Sequence, residues 1–182
     1  MIERDFLGGS MKRLNWYLSG VIFILVAVAV IYAINSMEDG TEDAALGESA
    51  PDFELRSLTG EVVKLSDYKG QKVMINFWAT WCPPCEAEMP DIEMLHQQFP
   101  DYKILAINVD PENDIEGYIE QRGLTFPVLL EEKDQSGRGF TEKAYGVTGY
   151  PTTFFIDEQG ILRKTRIGAM NFETMKSIME KL

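Results

Sequence analysis

Cysteine and histidine are scarce in this chain. Its 182 residues hold two Cys and one His. Two Cys exclude a disulfide-dense scaffold, and two Cys with one His cannot supply two structural zinc sites. A lone His leaves little room for imidazole acid–base chemistry. Bases are also in short supply: 17 Lys and Arg against 29 Asp and Glu give a formal net charge of −12. A nucleic-acid binder needs a basic face for the phosphates, so that class is excluded. What remains is one domain of ordinary size with some chain to spare.

Charge is missing altogether over the 24 residues from Leu14 to Met37. The centre, Val21 to Ile34, is almost wholly aliphatic. Roughly 20 such residues, at about 1.5 Å each, cross the hydrocarbon core of a bilayer. Trp16, Tyr17 and Tyr32 sit near the two ends, where amphipathic rings favour the interface. A buried core helix is the alternative, but such helices seldom stay apolar on every face for so long. A cleaved signal peptide is the other. Against it, the apolar run exceeds the usual 7–15 residues and no small-x-small site follows it. The sequence therefore predicts an uncleaved signal anchor over residues 14–37.

The flanks set its direction. Lys12 and Arg13 precede the span, and Glu38, Asp39, Glu42, Asp43, Glu48, Asp52 and Glu54 follow it. Bases favour the cytoplasmic side, which puts residues 1–13 inside and the remainder outside. Residues 1–37 carry 3 bases and 2 acids, or +1; residues 38–182 carry 14 bases and 27 acids, or −13. Residues 38–50 are small, polar and acidic, and are expected to be a linker.

From residue 51 to 182 strands and helices alternate. Phe53 to Leu55 and Val62 to Leu65, around Thr59-Gly60, predict a short hairpin. Lys72 to Ala79 and Ile104 to Val109 are continuous apolar runs, as in buried central strands. Pro84 to Phe99 and Asn113 to Arg122 read as helices, the second stopped by Gly123. Phe126 to Leu130 is a short strand and Phe140 to Tyr145 a short helix. Thr152 to Ile156 and Ile161 to Ile167 form a hairpin around residues 157–160, and Asn171 to Leu182 a closing amphipathic helix. The implied class is α/β, a central mixed sheet flanked by helices.

Both cysteines fall in Trp81-Cys82-Pro83-Pro84-Cys85, after a strand and at a helix start. There is no second half for a zinc site, so no metal is expected, and dithiol chemistry calls for no cofactor. A structural disulfide is the rival, yet closing so short a loop removes little unfolded-chain entropy. A redox role fits better. With Cys82 at the N-cap, the helix dipole favours its thiolate, making Cys82 the exposed nucleophile and Cys85 the resolving thiol. Pro83 and Pro84 remove two backbone donors, and Glu86 and Glu88 add negative charge. Both effects oppose the thiolate and point to a reducing couple. Glu88 lies three residues past Cys85 on the same face, where it is either a proton carrier or a solvated first-turn acid; spacing does not choose. His96 lies too far along the helix to act. Pro90 should kink it. In Gly149-Tyr150-Pro151-Thr152-Thr153 a proline at a strand entrance marks a turn, with a cis bond one option. Trp81 and Tyr150 are candidates for an apolar rim at the pair.

The run Asn76 to Cys85, Pro90 and Tyr150-Pro151-Thr152-Thr153 resemble the thioredoxin superfamily. The N-terminal anchor, Ala50-Pro51-Asp52-Phe53-Glu54-Leu55 and Cys85-Glu86-Ala87-Glu88-Met89-Pro90 resemble its membrane-anchored extracytoplasmic thiol-disulfide oxidoreductases of the ResA type. The resemblance implies a thioredoxin-like fold, a redox-active Cys82–Cys85 disulfide and a cis Pro151 beside it that helps bind substrate backbone. It also implies a proton-transfer role for Glu88. The implied substrate is the oxidised Cys-x-x-Cys-His site of an apocytochrome c, with electrons from a polytopic thiol carrier of the CcdA type. Asn76 departs from the buried acid of ordinary thioredoxins, and Pro83-Pro84 leaves the substrate open. General or sporulation-related disulfide reduction is the alternative. A peroxiredoxin-like peroxidase fits less well, because residues 78–82 lack the Pro and Thr loop of a lone peroxidatic Cys.

Overall fold

The computed structural model of the protein describes residues 20–30 and 44–182. Residues 20–30 are helical (α1) and exposed. At about 1.5 Å per residue this stretch covers roughly 16 Å, about half of a bilayer core. Among the described residues no helix is long and apolar enough to cross a membrane. The expected membrane helix is therefore not seen as such; the rest of the 14–37 span lies outside the described residues.

The domain is a single seven-stranded sheet. In chain order it contains β1 (Glu54–Ser57), β2 (Val62–Lys64), β3 (Val73–Trp78), α2 (Pro83–Gln98), β4 (Lys103–Asn108), α3 (Ile115–Arg122) and β5 (Val128–Leu130). It ends with α4 (Phe140–Ala144), β6 (Thr152–Ile156), β7 (Leu162–Ile167) and α5 (Phe172–Glu180). The sheet order is β2-β1-β5-β4-β3-β6-β7. β3, β4 and β5 run parallel, and β6 lies antiparallel to β3. The sheet is therefore mixed, as its apolar runs and hairpins imply.

Alternation along β3 sorts the layers. Asn76 and Trp78 point to one face, where Asn76 bonds Glu88 of α2 and Trp78 meets Tyr118 of α3, ring centroids 5.2 Å apart. α5 packs on α2, with Met175, Ile178 and Met179 buried at helical spacing. Ile75 and Phe77 point to the other face. There Phe77 meets Tyr145, which follows α4, at 5.8 Å. Every residue of β3 is buried, which is why its sequence is apolar without alternation.

Local signals fix the ends. Asp114 caps α3 by accepting from the Gly117 N–H at 2.9 Å. Gly123 closes it at φ 62°, a left-handed conformation costly for other residues. Residues 44–50, expected as part of the linker, bond to the domain. The Ala44 and Gly47 amides donate to the Ala144 and Leu162 carbonyls, and Ser49 bridges Ile161.

Candidate active site

The buried strand β3 ends at Trp78, and the chain turns through Ala79-Thr80-Trp81 into α2. That turn is tied to β4 and the loop after it. Thr80 donates its backbone N–H to both oxygens of Asp110, at 3.1 and 3.0 Å, and its hydroxyl to Oδ2 at 2.5 Å. Asn108 and Asn113 donate to the same carboxylate at 2.6 and 2.9 Å. Asp110 is buried and satisfied by five donor contacts. Nothing in the sequence flagged it, because Thr80, the partner that ties it to the Cys82 turn, lies 30 residues away in the chain.

Cys82 is the N-cap of α2, with Pro83 and Pro84 occupying the first two helical positions. It is disulfide-bonded to Cys85. The Cys85 amide donates to Cys82 Sγ at 3.3 Å. The prolines leave it as the one backbone donor of the first turn recorded on that sulfur. The expectation of an exposed Cys82 is corrected: in this oxidised state Cys82 keeps 3% of its surface and Cys85 none. Both sulfurs belong to the buried core cluster, because they lie under the start of a helix packed on the sheet. The expected order, Cys82 outermost, remains.

Glu88, one turn further along α2, is not a solvated acid. It is 1% exposed. Its Oε1 accepts from Asn76 Nδ2 at 2.8 Å, and its Oε2 from the Met170 amide at 3.0 Å. Burial raises its pKa to about 7, against the lowering effect of those two donors. A carboxyl that titrates near neutrality can take up and give back a proton at working pH. Asn76 occupies the position of the missing buried acid and also donates to Thr153 Oγ1 at 3.0 Å.

The Tyr150–Pro151 bond is cis. Phe77 pairs with Thr152, which sets Pro151 at the Trp78 end of the sheet, the end that carries the cysteines. Trp81, 63% exposed, meets Tyr150 edge to face at 5.8 Å. The Tyr150 hydroxyl donates to the buried Glu142, and burial followed by that bond raises the phenol's pKa. Trp81, Tyr150, Pro151, Cys82, Cys85 and Glu88 are thus carried at one end of the sheet. His96 lies on α2 beyond this group.

A strand, a capped Cys-x-x-Cys helix and a cis proline at the sheet end define a thioredoxin-like thiol-disulfide oxidoreductase. A sequence model described as the AhpC/TSA family matches residues 46–165. The chain is 41% identical over 176 residues to the thiol-disulfide oxidoreductase ResA of Geobacillus thermodenitrificans, spanning 94% of this chain and 98% of that protein. It is 38% identical over 141 residues to the thioredoxin-like protein YneN of Bacillus subtilis, spanning 75% of this chain and 78% of that protein. Among solved structures, StoA from Bacillus subtilis superposes with a TM-score of 0.59 at 31% identity, covering 70% of this chain and 96% of that one. The chain belongs to the AhpC/TSA family, among its ResA-type thiol-disulfide oxidoreductases.

Proposed function

We propose that the protein is a membrane-held reductant of disulfides in extracytoplasmic proteins, with the Cys pair of an apocytochrome c haem-binding site as its substrate. The observation that carries this reading is the buried Glu88 one turn past Cys85, on a helix whose N-cap Cys82 accepts one backbone donor at its sulfur. A thiolate that is poorly stabilised makes its disulfide the favoured product, so the reduced pair gives up electrons. The Cys82 thiolate attacks a substrate sulfur, forming a mixed disulfide and expelling a substrate thiolate. Cys85 passes its proton to Glu88 and attacks Cys82, breaking the mixed disulfide and freeing the second substrate sulfur as a thiolate, to which Glu88 can return the proton. Two electrons leave the protein, and the Cys82–Cys85 disulfide remains. A transmembrane thiol carrier of the CcdA type returns them. Trp81, Tyr150 and Pro151 form the docking rim.

Anchoring is supported by the charge-free span from Leu14 to Met37.

Trapping tests the reading. In Cys85→Ser the mixed disulfide on Cys82 should persist, and mass spectrometry should find a Cys-x-x-Cys-His peptide attached. Adducts carrying other extracytoplasmic proteins would move the function to general or sporulation-related reduction. No adduct that depends on Cys82 would overturn the exchange mechanism. A peroxidase would leave Cys85→Ser consuming peroxide at the wild-type rate. That is not expected, since Cys82 is paired three residues away rather than isolated.

A further inference from the structure

Glu88 is held by two groups, and both are donors. Asn76 Nδ2 and the Met170 amide each give a proton to one of its oxygens. That arrangement suits the ionised carboxylate alone. A protonated carboxyl has one proton to place, and neither partner can accept it. Yet burial brings Glu88 to about 7, so both forms are populated near neutral pH. The neutral form needs an acceptor.

The structure contains one in the right place. Asn76 Oδ1 is buried and has no hydrogen-bond partner. Such an atom is costly unless another state uses it. It sits on the same amide whose nitrogen now lies between Glu88 Oε1 and Thr153 Oγ1. A half-turn about the terminal side-chain bond exchanges O and N. Oδ1 then stands within reach of Glu88 and Thr153, both of which can donate to it. The two bonds that Oδ1 then accepts replace the two that Nδ2 gives up, and Nδ2 takes the unpartnered site that Oδ1 leaves; what the turn adds is an acceptor for the carboxyl proton.

We infer that Asn76 is the positioning residue of Glu88, gripping the carboxylate through Nδ2 and the protonated carboxyl through Oδ1 after a turn of its amide. This rests on the reading of Glu88 as proton carrier. An acid at position 76 could not do the same. When ionised it would offer Glu88 no donor and would add a second buried charge. Among the described residues, Asn76 from β3 and the Met170 amide from the β7–α5 loop bond Glu88, the charge of Asp91 raises its proton affinity, and Thr153 from β6 is reached through Asn76. Asn76 is the one side chain bonded to it that can both donate and accept.

The test is carboxyl and side-chain amide NMR on the oxidised full-length protein in detergent, followed from pH 5 to 9. In the wild type, the Asn76 amide protons should shift with the same midpoint as the Glu88 carboxyl. In Glu88→Gln they should be invariant. Asn76→Leu should move the Glu88 midpoint up by about one pH unit, because the carboxylate loses a donor, and Asn76→Asp, used should Leu not fold, should move it up by at least as much, because a second acid is added as well. Amide signals that ignore the Glu88 titration, or a midpoint unmoved in folded Asn76→Asp, would overturn the inference. Dithiol-exchange kinetics separate it from the reading beneath it. Unchanged rate and pH profile in Glu88→Gln would sink the proton-carrier role, whatever the spectra of Asn76 show.

Discussion

At the scale of single residues, Glu88 dominates because its charge is costly where it sits. Its pKa stands near 7 in the folded protein against a usual 4.5. Between those values the folded state holds a proton that the unfolded chain has released. This contribution to stability is complete below pH 4.5 and is lost as pH rises through 7. The rise from 4.5 to about 7 corresponds to about 3 kcal/mol. Replacing Glu88 with Gln removes the titration. Denaturant unfolding of wild type and Glu88→Gln at pH 4 and 8 should show the gap between them change by about 3 kcal/mol, the wild type losing ground at high pH. Reductase activity of the variant should fall and lose its dependence on pH around 7. The spacing from Cys85 made Glu88 a candidate from the sequence but could not choose between proton carrier and surface acid. The choice depends on Asn76, 12 positions earlier, and on Met170, 82 positions later. No local pattern encodes such contacts.

Elements hold these residues in place, and the two ends of the Cys82 turn make different demands. On the helix side, an N-cap side chain usually accepts from the second or third helical N–H. Here the second is Pro84, so the Cys85 amide is left to serve Cys82. Pro84→Ala restores a donor that favours the thiolate. The reduction potential should rise by about 30 mV, measured by equilibration with glutathione, while the wild type lies closer to about −270 than to −120 mV. A fall in potential would count against the link between helix donors and redox poise. On the strand side, Asp110 gathers the donors of Thr80, Asn108 and Asn113. Asp110→Ala strands the buried Asn108 amide and the half-buried Thr80 donors and should cost about 3 kcal/mol in chemical denaturation. The elements themselves were largely legible. Apolar runs placed β3 and β4 within a residue, and Gly123 stopped α3 where expected. Sheet order was not. β5 inserts between β4 and the antiparallel hairpin, a pairing fixed by tertiary packing rather than by anything in its three residues.

For the whole molecule the question is what would keep an acidic domain at a membrane, as the proposed function requires. Residues 38–182 carry 14 bases against 27 acids, a net −13. Anionic lipid repels such a body, so surface charge cannot hold it there. In the proposed anchoring, retention comes from the 24 uncharged residues, Leu14 to Met37, through the hydrophobic effect. These alternatives respond oppositely to salt. At about 1 M salt the Debye length shrinks to roughly 3 Å, which releases an electrostatically bound protein and leaves a spanning one in place. The full-length protein should therefore stay in the membrane pellet through 1 M salt and leave it only with detergent. Removing residues 1–43 should yield a water-soluble domain that reduces a small disulfide within about twofold of the parent rate, since the described contacts of the site all lie beyond Ala44. Added protease should reach the domain from the outer face, because the proposed topology places Lys12 and Arg13 on the cytoplasmic side. Extraction by salt alone, or protection of the domain from external protease, would remove both the anchor and the extracytoplasmic substrate from the proposed function while leaving the dithiol chemistry of Cys82 and Cys85 intact.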